Sequence, residues 1–355
     1  MPTTTPAPDP TPSSAGQLVG ITLQDDTQDR WKRDGEVLVE QLEAMGYRTD
    51  LRYAGFEDDG AVQAGQIDEQ LAAGAKVLVV GPSAPVLDPV LEKARNQGVT
   101  VILYDSTEYQ EHPADYAASI DYEGGPALQV RHIRDALGLD SSDAAHTFES
   151  FSYPVEELHS GSIYESAWNV FKPDIDAGKL VCLSDKCPAS LDDYAVAAAE
   201  DPRKEWPENT SREISRTNMA ERLTAYRDKK IEAVFGMSDV IALGIADALE
   251  EAGYVPGVDW PILTGQYADT EVLKAISAGR LTMTVFEDRH TLAKAVATMV
   301  DQVLTGQEVI VNGTTKSNHG EIPTLTVDMA IVTKDNLKAV LVDRGYFNED
   351  LEPAV

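Results

Sequence analysis

The sequence predicts an α/β fold of two lobes, each built around a doubly wound parallel sheet. The main observation is that apolar runs of strand length alternate with helical patterns from residue 17 onward, with short joints between them. This alternation is typical of strand–helix–strand units whose helices cover both faces of a parallel sheet. The second observation is that the pattern restarts at Ala145, in a chain whose 355 residues exceed what one hydrophobic core usually serves.

The first half begins with the apolar run LVGITL, which starts at Leu18 and is typical of a strand buried on both faces. Leu38, Leu42 and Met45 then recur at helical spacing, and Gly46 ends the predicted helix. Four more strands and three more helices follow in the same way. The strands are TDLRYAG, AKVLVVGP, VTVILYD and DYAASIDY, and the helices are AVQAGQIDEQLAAG, APVLDPVLEKARNQG and GPALQVRHIRDALG.

The second half repeats the alternation, with one irregular polar stretch that ends at Asn209. The predicted strands are AHTFESF, KLVCLSD, IEAVFGMSD, WPILTGQYAD and LTMTVFED. The predicted helices are SAWNVFKPDIDAG, SREISRTNMAERLTAY, VIALGIADALEEAG, EVLKAISAG and HTLAKAVATMVDQVLTG. The tail TLTVDMAIVTKDNLKAVLVDRGYF predicts one last strand-like run and a helix, which are available to return to the first half.

The composition excludes several classes of function. A net charge of -31 repels phosphate backbones and anionic lipid headgroups, so we expect no binding to nucleic acid or to a membrane surface. The opening stretch MPTTTPAPDPTPSSAG is too poor in apolar residues to pack and is typical of a linker. A linker there predicts an extracytoplasmic protein, in the periplasm or as a cell-surface lipoprotein, whose signal segment or lipid-attachment cysteine precedes it. The alternative is a cytoplasmic chain with an unpacked tail.

Cys182 and Cys187 are the two cysteines of the chain, and they fall five residues apart in LVCLSDKCPAS. This proximity favours a local disulfide, which belongs to an oxidising compartment. A zinc site would need two further ligands, and no other cysteine or histidine stands nearby. Two unlinked surface thiols are the alternative.

The motifs of catalysis and cofactor binding are missing from the sequence. It has no Gly-x-Gly-x-x-Gly after the first strand, no phosphate-binding Gly-x-x-x-x-Gly-Lys-Ser/Thr and no Gly-x-Ser-x-Gly. His159, His290 and His319 show no metal-ligand spacing. We therefore predict no enzyme activity, no cofactor and no metal.

Polar and aromatic residues follow the predicted strands at their carboxyl ends, where open parallel sheets bind ligands. The first strand is followed by Asp26 and by Arg30 next to Trp31. Carboxylates, amides, hydroxyls, a guanidinium and aromatic rings together are suited to a ligand with many hydroxyls and apolar ring faces. The other candidates are Asp105, Ser106, Ser238, Asp239, Gln266, Tyr267 and Glu287.

Several stretches occur in an order and spacing that is specific, among them RWKRDG, GQIDEQLAAGAKVLVVGP, VILYD, FKPDIDAGKL, WPEN, GQYAD and AGRLTMTVFED. On these the chain resembles the periplasmic sugar-binding proteins of ABC transporters, most closely the xylose- and multiple-sugar-binding proteins. The resemblance runs from Leu18 to about Phe347. It implies the periplasmic binding protein type 1 fold, with two lobes joined by a three-strand hinge.

The resemblance also implies site residues. Arg30 and Trp31 would hold the sugar, although a surface arginine and a core tryptophan at a helix start are the alternatives. Asp105 matches the aspartate of a Tyr-Asp ligand motif, and Trp206 in WPEN matches a stacking tryptophan. His159 falls near an asparagine pair of the family, where the spacing slips by one residue.

Four polar ligand positions differ in type from the xylose binders. Ser106 replaces an arginine, and Tyr267 replaces an aspartate. Their Ser-Asn-Asp motif becomes Met237-Ser238-Asp239 here, and Glu287 replaces a lysine. These changes should reorder which epimers fit, because a buried polar group left unpaired is costly. We expect a hexose, another pentose or a polyol to bind more tightly than xylose.

The predicted function is an extracytoplasmic receptor that closes as a monomer around a monosaccharide or polyol and hands it to an ABC transporter permease. The predicted divisions are a linker at 1–16, an N-terminal lobe at 17–122 plus 288–324, and a C-terminal lobe at 123–287 plus 325–355. A sugar-sensing receptor, in chemotaxis or as a regulatory ligand-binding domain, is the alternative. The sugar-binding core of a repressor would need an N-terminal helix-turn-helix, where this chain has the linker.

Overall fold

The computed structural model of the protein describes residues 16–24, 29–55, 60–105, 112–152, 160–184, 187 and 208–353. The chain divides into two compact units, the first comprising Met1–Ile120 and Asp288–Val327, the second Asp121–Glu287 and Asp328–Val355. It therefore passes from one unit to the other three times.

The described residues form two sheets and the helices that pack on them. In chain order the strands are β1 Leu18–Leu23, β2 Arg48–Tyr53, β3 Val77–Val80, β4 Thr100–Tyr104, β5 Tyr116–Ile120, β6 His146–Phe151, β7 Leu180–Cys182, β8 Ala233–Gly236, β9 Ile262–Gln266, β10 Met283–Phe286, β11 Gly313–Ser317, β12 Gly320–Val327 and β13 Ala330–Thr333. The α-helices are α1 Asp29–Ala44, α2 Ala61–Ala72, α3 Asp88–Asn96, α4 Gly124–Leu137, α5 Ser160–Asp176, α6 Glu208–Ala225, α7 Asp239–Glu251, α8 Thr270–Ser277 and α9 Arg289–Thr305.

The first unit contains a seven-stranded sheet with the order β11-β12-β5-β4-β3-β1-β2. Its strands pair in parallel, except that β11 is antiparallel to β12. All residues of β1 and β3 are buried, as expected for apolar strands covered on both faces. Helix α1 packs against α9, and α2 packs against α3.

The second unit contains a six-stranded sheet with the order β13-β10-β9-β8-β6-β7. It is parallel except for β13, which is antiparallel to β10. Its core includes Phe171, whose ring lies 5.1 Å from that of Phe148 and 5.6 Å from that of Phe235, measured between centroids. Both units are therefore mostly parallel α/β structures, and the predicted fold class is confirmed.

The end of the chain differs from the sequence prediction of one strand and one helix. It forms a hairpin, β11 and β12, and then β13, which joins the other sheet. β11 was missed because its residues, GTTKS, are polar and mostly exposed. The predicted helix is a five-residue π-helical turn, Lys338–Val342, in which the Asp343 N–H donates to the Lys338 carbonyl.

The unit boundaries after Ile120 and Val327 lie two and three residues from the predicted ones at 122 and 324, while the boundary after Glu287 coincides with the predicted one. β12 pairs with β5 up to Val327 opposite Ile120, so a division at residue 324 would cut through a paired strand. The first passage follows Ile120, where β5 ends. Among the described residues, no helix combines the length and the apolar character needed to cross a membrane.

Candidate functional site

Trp31 lies in the core of the first unit, directly after the start of α1. Its side chain is 2% exposed and packs against Tyr104, with 6.4 Å between ring centroids. Gly81, at the carboxyl end of β3, allows this packing, because a Cβ there would lie 3.1 Å from Cζ3 of the indole. The structure thus places Trp31 where a core tryptophan would be, and its contact with a ligand stays a prediction.

Arg30 and Asp105 are brought together at the carboxyl ends of β1 and β4. The Nη2 of Arg30 donates to Oδ2 of Asp105, and the Nη1 of Arg289 donates to the same oxygen at 2.8 Å. The Arg30 guanidinium also lies 4.2 Å from the centroid of the Trp31 ring, a cation–π contact that fixes its orientation. One buried carboxylate therefore receives two guanidiniums at the polar edge of the sheet.

The backbone at Asp105 is itself unusual. Its φ of 47° lies in the left-handed region, which aspartate tolerates better than most residues other than glycine. The Asp105 N–H donates to the Ala118 carbonyl at 2.7 Å, which ties this residue to β5. The left-handed turn ends β4 and holds the carboxylate at the strand end.

Asp34, one helical turn after Arg30, is a further carboxyl group of this cluster. Its side chain is 1% exposed, and neither oxygen has a hydrogen-bond partner among the described residues. Burial raises the pKa of Asp34 to about 7, although the Arg289 and Arg30 guanidiniums act in the opposite direction. The Tyr104 hydroxyl also lacks a partner in hydrogen-bonding geometry, although it interacts with this carboxylate, and burial raises its pKa well above the usual range.

In the second unit, Ser238 and Asp239 start α7. The Ser238 hydroxyl caps the helix by accepting from the Ile241 N–H at 3.4 Å. Asp239 is fully buried, accepting from the Thr284 hydroxyl at 2.7 Å on Oδ1 and from the Asp269 N–H at 2.8 Å on Oδ2. Burial raises the pKa of Asp239 well above its usual range.

The turn after β9 presents Tyr267. Tyr267 has a φ of 108° and Ala268 a φ of 59°, both in the region that side chains rarely adopt. The Tyr267 N–H donates to the Val285 carbonyl at 2.8 Å, and Asp239 receives the Asp269 N–H. The phenol is 46% exposed. Strained backbone of this kind persists where the surroundings hold it, and it concentrates at functional sites.

Gln266 and Glu287 complete the described candidates. Gln266 is buried, and its Oε1 lies 3.4 Å from Nε2 of Gln129, whose own Oε1 accepts from the Thr264 hydroxyl at 2.8 Å. Glu287 follows β10 and is half-buried. Gln266 directly precedes Tyr267 in the chain, and Glu287 follows the strand that pairs with β9.

Comparison with known proteins identifies the family. Residues 19–308 match the family described as periplasmic binding protein domain. The chain belongs to that family. The resemblance inferred from the sequence is therefore confirmed.

Curated relatives of this periplasmic binding protein cover nearly its whole length. It is 34% identical to the multiple sugar-binding periplasmic protein SbpA of Azospirillum brasilense, over 96% of this chain and 92% of the relative. It is 32% identical to the multiple sugar-binding periplasmic receptor ChvE of Rhizobium radiobacter, over 94% and 91% respectively. The D-xylose-binding periplasmic protein of Escherichia coli K12 is 26% identical, over 93% and 91%.

Solved structures give the same result. An ABC transporter solute binding protein from Clostridium phytofermentans, with bound β-D-glucose, has a TM-score of 0.62 at 29% identity, over 94% of this chain and 99% of that one. A carbohydrate transporter solute binding protein from Chloroflexus aurantiacus, in complex with D-glucose, has a TM-score of 0.61 at 26% identity, over 94% and 98%.

Four predicted ligand-binding residues of this periplasmic binding protein lie outside the described residues: Asp26, Ser106, His159 and Trp206. Two residues of the described cluster, Asp34 and Arg289, were not predicted. The sequence feature that could have indicated Asp34 is its position four residues after Arg30, on the same helix face. The feature that could have indicated Arg289 is its position three residues after Phe286, the last residue of β10.

Cys182 and Cys187 form the predicted disulfide. Next to it lies a buried ion pair that the sequence did not indicate, in which Nη1 of Arg222 donates to Oε2 of Glu149 at 2.7 Å. The Ser184 hydroxyl, inside the disulfide loop, donates to the same oxygen at 2.6 Å. The bridge therefore holds a loop that helps to satisfy a buried charge of the second unit.

Proposed function

We propose that this protein is an extracytoplasmic solute-binding protein that captures a monosaccharide or polyol and delivers it to the membrane permease of an ABC transporter. The observation that carries the proposal is the pair of guanidiniums on Asp105 at the carboxyl ends of β1 and β4. Relatives named for multiple-sugar and xylose binding, and solved neighbours with bound glucose, support the ligand class.

The chemistry of this group suits a sugar. Each sugar hydroxyl both donates and accepts, so one hydroxyl can donate to the Asp105 carboxylate while another accepts from the Arg30 guanidinium. The two protein groups already bond to each other, so they are held in position before a ligand arrives. The exposed ring of Tyr267 offers an apolar face for the C–H side of a pyranose.

The ligand that fits this proposal best is a hexose, a pentose other than xylose, or a polyol. Tyr267 gives one hydroxyl and a ring where xylose binders have a two-oxygen acceptor. Glu287 gives an acceptor where they have a donor. Both changes favour a different pattern of hydroxyls from that of xylose.

A binding screen tests the proposal. Thermal unfolding with D-glucose, other hexoses, pentoses and polyols should show a raised midpoint for at least one of them, since a ligand of the folded state stabilises it by mass action. Calorimetry should then give xylose a lower affinity than the best compound. Xylose binding tightest by tenfold or more would contradict the specificity, and no binding by any compound would contradict the function.

Two substitutions test the site. Arg30→Ala and Asp105→Asn should each weaken binding by about 1–3 kcal/mol, roughly 5- to 150-fold, because each removes a charged hydrogen-bonding group. Asp301→Asn is the matched control, since Asp301 lies in the same unit and accepts instead from the Tyr47 hydroxyl at 2.6 Å. Unchanged affinity in both site variants would refute the assignment. Uptake of the identified sugar should fall in cells that lack the gene, which tests delivery.

A further inference from the structure

The turn after β9 holds Tyr267 in a backbone conformation that depends on its surroundings. Tyr267 has a φ of 108° and Ala268 a φ of 59°. For a bulky side chain such a φ is an outlier, and it persists only where the surrounding structure maintains it. A relaxation of φ at Tyr267 would rotate its Cα–Cβ bond. The direction of the phenol, which is 46% exposed, therefore depends on the hydrogen bonds of this turn.

Two side chains accept the N–H groups that follow Tyr267 in the turn. The Ala268 N–H donates to the Thr284 hydroxyl at 3.3 Å, and the Asp269 N–H donates to Oδ2 of Asp239 at 2.8 Å. The two side chains are themselves joined, because the Thr284 hydroxyl donates to Oδ1 of Asp239 at 2.7 Å. A hydroxyl has one proton to donate, so this bond leaves the Thr284 oxygen oriented to accept from the Ala268 N–H. Asp239 and Thr284 together thus hold consecutive peptide groups.

Asp239 and Thr284 are both fully buried. Gly265, on β9, leaves room for the acid, because a Cβ there would lie 2.4 Å from Oδ1 of Asp239. Asp239 is predicted from the sequence to contact the ligand. In the structure its oxygens accept from the Thr284 hydroxyl and the Asp269 N–H, so the geometry favours an effect on the ligand that passes through the turn.

We propose that Asp239 and Thr284 are positioning residues of the sugar site, and this inference rests on the function proposed above. They hold the peptide groups of Ala268 and Asp269, and thereby keep Tyr267 at the φ that directs its phenol to the sugar. The affinity for a pyranose thus depends on two buried side chains that do not touch it. A phenol that is held in one direction before binding loses less freedom when the sugar arrives, so the network strengthens binding.

The test is a double-mutant cycle on the full chain, with the affinity for D-glucose measured by titration calorimetry. Thr284→Val removes the hydroxyl and keeps the shape, and it should weaken D-glucose binding by about fivefold. In the Tyr267→Ala background the same substitution should change the affinity by less than about twofold, because the side chain that Thr284 positions is gone. Thr284→Ser, which restores the hydroxyl, should recover most of the affinity.

Two controls separate positioning from a general loss of stability. Thr282→Val removes a hydroxyl that donates to the Leu263 carbonyl at 2.8 Å, two residues before Thr284, and it should leave the D-glucose affinity unchanged. Each affinity is measured at a temperature at which circular dichroism shows the variant to be folded. If Thr284→Val does not fold, Asp239→Asn takes its place in the cycle, since it replaces one acceptor oxygen by an amide donor.

The outcomes distinguish this inference from the proposed function. Unchanged affinity in Thr284→Val, or equal weakening in both backgrounds, overturns the positioning role while sugar binding stands. Unchanged affinity in Tyr267→Ala overturns it too, because the phenol would then not contact the sugar. If D-glucose does not bind but another compound of the panel does, that compound replaces it in the cycle. If no compound of the panel binds, the proposed function fails, and this inference fails with it.

Discussion

Asp34 and Asp239 are buried acids in different units, and the structure holds them in different ways. Asp34 lies among two guanidiniums and a second carboxylate, and neither of its oxygens has a hydrogen-bond partner among the described residues. Asp239 is fully buried too, but its oxygens accept from the Thr284 hydroxyl and the Asp269 N–H. Burial raises the pKa of both.

The difference shows that burial alone does not decide what an acid does. Asp239 stabilises a turn, because its hydrogen bond from the Asp269 N–H connects the start of α7 to the segment after Tyr267. Asp34 has no such bonds among the described residues, and its carboxyl group interacts with the guanidiniums and with the Tyr104 hydroxyl instead. We therefore expect Asp239 to be important for stability, and Asp34 for how stability depends on pH.

The largest expected effect is the pH dependence of stability that Asp34 causes. Its pKa is about 7 in the folded protein against an ordinary value of 3.8, so the folded state binds the proton more tightly. The stability that this proton contributes is complete below pH 3.8 and is lost as the pH rises through 7. At about 1.4 kcal/mol for each unit of pKa, the loss is about 4 kcal/mol.

Urea unfolding of the wild-type protein and of Asp34→Asn at several pH values isolates this effect, because other groups titrate equally in both. The free energy of unfolding of the wild-type protein should fall relative to that of the variant between pH 4 and pH 7. A constant difference would show that Asp34 titrates normally, and the contrast with Asp239 would then lie only in their hydrogen bonds.

The next largest effect is the loss of the hydrogen bonds that Asp239 accepts. Asp239→Ala leaves the Thr284 hydroxyl and the Asp269 N–H without their acceptor, and we expect it to lower the free energy of unfolding by about 3 kcal/mol. Asp239→Asn keeps one carbonyl oxygen and should cost about 1 kcal/mol. Equal, small losses in denaturant unfolding would mean that the turn does not depend on this acid.

The smallest effect concerns the strained turn that Asp239 supports. Tyr267→Gly removes the side chain from a residue with a φ of 108° and should stabilise the protein by about 1 kcal/mol while weakening sugar binding. Ala268→Gly, at a φ of 59°, relieves strain without removing the phenol and should leave binding unchanged. If Tyr267→Gly bound sugar normally, the phenol would have no role in recognition.

Much of the fold could be predicted from the sequence, because buried strands such as β1 and β3 are continuous apolar runs. β11 was not predicted, since its pairing with β12 depends on backbone hydrogen bonds and not on burial of an apolar face. The π-helical turn at Lys338–Val342 was also missed, because its apolar spacing resembles that of an ordinary helix.

The candidate site was predictable in part. Arg30 and Asp105 stand at strand ends and in recognisable motifs, and the structure joins them. Arg289 comes from a segment 184 residues further along the chain than Asp105, and no local pattern shows that contact. Asp34 is one of many acidic residues in a chain of net charge -31, so its burial could be known only from the structure.

The pairing of β12 with β5 has a consequence for how the protein is made. Thr324 pairs with Ala117, so the sheet of the first unit gains β12 only after the ribosome has added about 200 more residues. At about 5–20 residues per second, β5 waits roughly 10–40 s for this neighbour. Over that interval the edge of β5 that will receive β12 can pair with other strands, so a nascent chain stalled before Gly320 should need a chaperone more than the complete chain does.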